Sequence, residues 1–304
     1  MTNRHEKTLT DTVEAMSYGG AVPGMCHFRR SGEPLPSQDA VRHMVALCRS
    51  IIFPGFFGDS DVSRYNVKYH AGLWIEELYK ILTDQITAGL CAVADCCTAP
   101  DITSLAAEAG ELAARFVSGL PELRRVLMTD VRATFLGDPA ASSTEEVIYC
   151  YPGIRAMINH RIAHELVGLG VPVIPRMISE QAHGETGIDI HPAATIGEAF
   201  TIDHGTGVVI GATSIIGRNV KIYQGVTLGA KSFDLDEEGN PIKGVPRHPV
   251  IGDNVVIYSN STILGRITIG DGAVIGGNLW VTGDVAPGEK LVQAKANNIL
   301  RFQQ

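Results

Sequence analysis

Four histidines beyond residue 180, His183, His191, His204 and His248, carry side chains able to move a proton near neutral pH. His204 stands in Ile202-Asp203-His204-Gly205-Thr206-Gly207, and Asp189 precedes it by 15 residues. An imidazole oriented by a carboxylate is a general base for activating a weak hydroxyl or amine nucleophile. The plainer alternative is a turn histidine satisfied by backbone groups, against which the charged neighbours weigh. Arg247-His248-Pro249 ends a long polar segment and is pointed chemistry for a spacer. His160 and His164 share a helical face at i, i+4, a spacing that metal ligands use. No HExxH order accompanies them and no motif fixes an acidic ligand, so a polar helix face is expected there.

The elements that must position these groups fall into two textures. After Gly187, Ile190, Ile196, Ile202 and Val208 recur every six residues; Ile210, Ile216, Ile222 and Leu228 resume the period after a two-residue shift. Ile251, Ile257, Ile263, Ile269, Ile275 and Val281 then continue it without a slip. A six-residue period fits neither an α-helix nor a plain alternating strand. It fits a left-handed parallel β-helix, three six-residue sides to a coil of 18 residues, with the aliphatic side chains pointing inward. Small and Gly residues then serve the corners. Asp189 lies three residues short of a full coil from His204, which stacks the two on adjacent coils near one edge. Residues 230–250 interrupt the repeat, are too long for a corner, and are expected to protrude.

Before this half the pattern is helical. Ser37 can cap a helix carrying Val41, Met44, Val45 and Cys48, and Leu73, Ile75, Leu78, Ile81, Leu82 and Ile86 repeat the spacing. Ser104 opens a helix closed by Gly119, and Pro121 sits in the first turn of the next. Asp138-Pro139 breaks the pattern, and Tyr151-Pro152-Gly153 introduces a last helix to about Leu166. The expected class is therefore α+β, with an irregular segment over 1–36, a helical domain over 37–185, the β-helix over 186–290 and a short tail over 291–304.

Of 304 residues, 45% are hydrophobic and 19% charged, which supports a packed core, and the net charge of −8 with no basic run argues against nucleic-acid binding. No window approaches the roughly 18 apolar residues of a membrane span, and the polar N-terminus lacks a signal-peptide core. The cysteines Cys26, Cys48, Cys91, Cys96, Cys97 and Cys150 show no CxxC spacing and are expected as reduced buried thiols, in a cytoplasmic protein.

Asp189-Ile190-His191-Pro192-Ala193, Asp203-His204-Gly205-Thr206-Gly207, Gln224-Gly225-Val226-Thr227-Leu228-Gly229 and Arg247-His248-Pro249 occur in this order around the interrupting loop. In that order and spacing they resemble the serine O-acetyltransferases, members of the hexapeptide-repeat acyltransferases. Asp138-Pro139-Ala140 and Arg161-Ile162-Ala163-His164 match motifs of that family's helical domain. The resemblance implies acetyl transfer from acetyl-CoA to the L-serine hydroxyl, giving O-acetylserine for cysteine synthesis. By the same resemblance His204 is the base and Asp189 holds its ring. Asp138 and Asp203 receive the substrate ammonium, Arg247 and His248 its carboxylate, and Gly229, Ala230 and Ser259 line the CoA arm. The chain departs from the family at Tyr258-Ser259-Asn260-Ser261 and at Gln293-Ala294-Lys295-Ala296-Asn297, and Lys290, Lys295 and Arg301 offer phosphate contacts there.

Relatives assemble as trimers with active sites between subunits, so a homotrimer is implied, and pairing of trimers into a hexamer is open to it. L-cysteine, which carries the same ammonium and carboxylate, is implied as an inhibitor. The chain ends in Gln304 where many members end in isoleucine, so no stable complex with O-acetylserine sulfhydrylase is expected. No metal is expected. The rival readings are an acetyltransferase of this fold acting on a sugar or other hydroxyl, and a β-helix used as a scaffold or as a zinc carbonic anhydrase through His183, His191 and His204.

Overall fold

The computed structural model describes residues 2–17, 32–94, 101–233 and 235–294. Two compact units divide the chain: Met1–Glu33 with Ala94–Ala99, and Pro34–Val93 with Pro100–Gln304. In the first unit, residues Thr2–Ser17 form helix α1, which corrects the irregular segment expected over 1–36. Leu9, Val13 and Met16 fall at i, i+4, i+7, and the Thr10 and Thr12 hydroxyls donate back to the carbonyls of Glu6 and Thr8 at 2.9 and 2.7 Å. Reading by turn residues alone passes over so short a stripe. Tyr18-Gly19-Gly20, Cys26, Cys96, Cys97, Lys295, Arg301 and residues 299–304 lie outside the described residues.

In the second unit α2 (Gln38–Ile52) starts as expected. The Ser37 hydroxyl accepts from the Ala40 N–H at 3.3 Å, and Val41, Met44, Val45 and Cys48 enter the core. Burial pushes the Cys48 thiol up to about 12, so it stays an inert thiol, whereas Cys150 is exposed and not buried as expected. Helix α3 spans Val67–Val93. Helix α4 (Ile102–Gly137) runs unbroken through Gly119 and Pro121, where two helices were expected. Proline in a helix interior costs about 3 kcal/mol, but Phe116 and Leu120 before it and Leu127 and Val131 after it are buried in one core. Burying four such side chains, at about 1.5–3 kcal/mol each, outweighs that loss. The break at Asp138-Pro139 is present, with Asp138 as the C-cap. After α5 (Thr144–Cys150) and α6 (Pro152–Gly168) comes a further helix, α7 (Ile174–Thr186), beyond the one expected to be last. Its buried apolar stripe, Ile174, Ile178 and Ala182, is too thin to stand out in sequence.

From Asp189 onward, short parallel strands build a three-sided β-helix. The first sheet stacks β1 (Asp189–Ile190), β4 (Val209–Ile210), β7 (Thr227–Gly229), β10 (Thr262–Leu264) and β13 (Trp280–Val281). The second holds β2 (Thr195–Ile196), β5 (Ile215–Ile216), β8 (Val250–Ile251) and β11 (Thr268–Ile269). The third holds β3 (Thr201–Asp203), β6 (Lys221–Tyr223), β9 (Val256–Ile257), β12 (Val274–Ile275) and β14 (Lys290–Leu291). The six-residue aliphatics fill the interior; Ile222, Leu228, Ile257, Ile263, Ile269 and Ile275 are wholly buried. Asn219 and Asn254 take the left-handed backbone at one corner, and Asn219 Nδ2 donates to Asn254 Oδ1 at 2.8 Å. Between β3 and β4 the corner holds two extra residues, so Asp189 registers with Val209. This widened corner is His204-Gly205-Thr206-Gly207, where His204, Gly205 and Gly207 all have positive φ. The expected loop follows β7 and is mostly exposed until His248.

One buried ion pair fastens the helices to the first coil. Arg161 on α6 donates from Nε and Nη2 to the two carboxylate oxygens of Asp130 on α4, at 2.6 and 2.9 Å. Its remaining donors reach the carbonyls of Ile196 and Gly197 at 3.2 and 2.8 Å, and Asp130 also accepts from the Phe200 N–H at 3.0 Å. The interior of the β-helix and the helical core form one buried hydrophobic cluster, which includes Ile154, Ile158 and Phe200.

Candidate functional site

Two polar groups form at different edges of the prism. The first lies where the third sheet turns into the first. Its centre is His204, a non-glycine residue at φ 56°, a strained conformation that rigid surroundings must hold. The ring is 78% exposed, and its Nε2 lies 3.8 Å from Asp203. Asp138 reaches this edge from the end of α4. Its carboxylate accepts from the Tyr151 hydroxyl at 2.6 Å and the Ala140 N–H at 2.8 Å. Those two bonds, with the charges of Lys221 and His204, hold the Asp138 carboxyl below its usual range. The same bond pushes the Tyr151 hydroxyl up to about 12. Tyr151 therefore remains a donor, and Asp138 a fixed anion beside His204.

The second group lies where the first sheet turns into the second. His248 packs against Gly211, where a Cβ would fall 2.0 Å from the ring. Its Nδ1 faces the Thr213 hydroxyl at 2.8 Å and accepts from the Thr213 N–H at 3.1 Å. Thr213 Oγ1 in turn accepts from the N–H groups of Arg247 and His248 at 2.9 and 3.1 Å. Burial, then the charges of Arg247, His191 and Arg266, bring the His248 pKa down to about 4. His248 is thus neutral at pH 7, with its proton assigned to Nε2 by the hydrogen-bond network. It offers a neutral donor beside the Arg247 cation, a pair suited to a carboxylate. The Arg247 guanidinium stacks 5.5 Å from the Phe233 ring of the protruding loop. His191 belongs to this edge; burial, then Arg176, lower its pKa.

Asp189 sits with the second group. Its carboxylate lies within 4.8 Å of ligand atoms of Glu180 and His183, and among the described residues no ion pair joins it to His204 within one chain. The expected stacking fails because the widened corner lengthens that coil: Asp189 registers with Val209, beyond the corner that carries His204. His160 and His164 do not form the expected polar face. His160 is 2% exposed, burial holds it neutral well below its ordinary value, and the rings lie 5.6 Å apart. Of the residues expected along the CoA arm, Gly229 ends β7 against Leu264, Ala230 opens the loop, and the Ser259 carbonyl accepts from the Asn278 N–H at 2.9 Å.

Sequence reasoning missed Tyr151, Thr213 and Lys221. Lys221 had a readable signal, since coil stacking registers β6 on β3 and brings its side chain beside Asp203.

Residues 248–283 match the family described as bacterial transferase hexapeptide (six repeats). A plasmid serine acetyltransferase of Synechococcus elongatus is 47% identical over 291 residues, covering 94% of this chain and 91% of that protein. Entamoeba histolytica serine acetyltransferase 1, solved in complex with L-cysteine, superposes with a TM-score of 0.72 at 34% identity over 88% of this chain and 91% of that one. Soybean serine acetyltransferase, solved with serine, gives a TM-score of 0.54 at 29% identity over 86% and 99%. Nearly half identical to such a relative over almost the full length of both proteins, this chain belongs to the serine acetyltransferase family.

Proposed function

We propose that the chain acetylates the hydroxyl of L-serine from acetyl-CoA, with His204 as general base, at a site completed where two copies meet. The observation that carries this is the division of the site. Anions and base gather at one prism edge, Asp138, Asp203 and His204, while the carboxylate receptors Arg247 and His248 sit at the next edge with Asp189. An amino-acid zwitterion needs both. A threefold arrangement of prisms sets the second edge of one copy against the first edge of its neighbour, so a homotrimer supplies each site whole, and Asp189 then orients His204 across the boundary. A serine hydroxyl is almost wholly protonated at neutral pH. His204 takes that proton as the hydroxyl oxygen bonds to the thioester carbonyl carbon. The carbon–sulfur bond then breaks and the departing CoA thiolate receives the proton. Gly229, Ala230 and Ser259 are placed along the pantetheine arm, Gly229 because a bare backbone lets a ligand approach closely.

The E. histolytica enzyme's complex with L-cysteine supports a further step in this reading: cysteine competes with serine for the same two charges and inhibits. A neutral sugar acceptor would offer no charge to the Arg247 cation or to the Asp138 and Asp203 carboxylates. No described helix is long and apolar enough to cross a membrane, in keeping with a cytoplasmic enzyme. The test is CoA thiol release with L-serine against a galactoside, then with rising L-cysteine at fixed acetyl-CoA. Serine-dependent release that cysteine suppresses competitively is expected; release with the galactoside alone would overturn the reading.

A further inference from the structure

Lys221 opens β6, and its ammonium makes two contacts that matter to the first edge. Nζ lies 3.0 Å from Asp203 Oδ2 and donates to the Gly137 carbonyl at 2.8 Å. Gly137 is the last residue of α4, directly before Asp138. One ammonium therefore joins the Asp203 carboxylate to the backbone that presents the Asp138 carboxylate. Both side chains of the pair are largely buried, 17% and 16% exposed, so the contact is not a loose surface pair. The Tyr223 ring lies under the ammonium at 4.7 Å. Burial works against the charge, but Asp203 and Tyr223 outweigh it and raise the Lys221 pKa.

The charges at this edge can then be counted. Asp138 and Asp203 carry one negative charge each, and Lys221 offsets one of them. What remains matches a single substrate ammonium. The same balance bears on the base, which is faced by Asp203 on β3 and Asp138 at the end of α4, with Lys221 on β6 behind Asp203, and in the proposed trimer by Asp189 of the partner subunit. Tyr151 and Glu146 lie beyond Asp138.

We propose that Lys221 is a positioning residue for the acyl acceptor: it fixes the spacing of Asp138 and Asp203 and cancels one of their charges, so that the pair accepts one ammonium beside His204. This rests on the serine reading given above. Lys221→Met is expected to raise the serine KM about tenfold while leaving the acetyl-CoA KM unchanged. Removing a cation near the base favours its protonated form, so the acid limb of the kcat/KM profile for serine should move up by about half a pH unit. Lys221→Arg keeps the charge and should return the limb to its original place. A merely structural salt bridge would lower the melting temperature of both variants and leave the limb where it was.

The experiment is CoA thiol release by the full chain, varying L-serine and acetyl-CoA separately across the pH range in which histidine titrates. If Lys221→Met does not fold, Lys221→Gln is read by the same two quantities. An unchanged serine KM with an unmoved acid limb overturns the proposal, as does a limb shift that arginine does not reverse. Wild-type enzyme inactive toward serine would instead overturn the serine reading, before any variant is compared.

Discussion

Thr213→Val removes one hydroxyl and keeps the shape of the side chain. That oxygen accepts from the N–H groups of Arg247 and His248 at 2.9 and 3.1 Å, and the hydroxyl faces His248 Nδ1 at 2.8 Å. After the substitution Nδ1 keeps the Thr213 N–H as its donor at 3.1 Å, but the two backbone N–H groups lose their acceptor. Arg266 still grips the carbonyls of Thr213 and His248, at 2.7 and 3.0 Å, so the segment should loosen without unfolding. Two uncompensated hydrogen bonds at about 1 kcal/mol each come to about 2 kcal/mol. Since 1.4 kcal/mol is a factor of ten, the serine KM should rise about thirtyfold if the whole loss falls on the carboxylate receptors. Turnover at saturating serine should change far less, because His204 lies at another edge. The assay is initial-rate CoA release over a serine titration, with a thermal melt alongside. A serine KM within twofold of wild type would refute the claim that Thr213 organises Arg247 and His248.

Arg247→Ala removes the cation from that receptor and should raise the serine KM more than it lowers kcat, measured in the same titration. Asp130→Ala strands the buried Arg161 guanidinium and the Phe200 N–H, and should cost about 3 kcal/mol or more in urea unfolding; a loss under about 1 kcal/mol would contradict its role in fastening α4 and α6 to the first coil. His248 is neutral in the fold down to about pH 4, against 6.5 in the unfolded chain, so unfolding takes up a proton between those values. Stability should therefore fall as pH drops from about 6.5 to about 4, with buried His160 adding to the slope, and His248→Asn should flatten that part of the melting curve.

The six-residue period made the β-helix legible because each inward position must be aliphatic, and the structure keeps every such residue from Ile190 to Val281 inside. The two-residue slip after Val208 was legible too, and it turns out to mark the widened corner that strains His204 into a positive φ. Where Asp189 falls around the prism relative to His204 was not readable in this way. Counting residues in coils of uniform length gives height along the prism, but the angular position of Asp189 depends on how many residues that one corner consumes. Thr213 was silent because a threonine among small corner residues has no pattern of its own; its role appears only when a loop of some twenty residues returns Arg247 and His248 to its hydroxyl. Pro121 misled for the opposite reason, since a local breaker was overruled by burial on both sides of it.

The most direct test of the account is the turnover of His204→Ala beside Asp189→Asn, each with saturating L-serine and acetyl-CoA. Loss of a general base lowers turnover by about a hundredfold or more, whereas loss of the group that orients it leaves the base in place. The account predicts that His204→Ala falls at least about a hundredfold and Asp189→Asn distinctly less. A His204→Ala enzyme that turns over serine near the wild-type rate would contradict it.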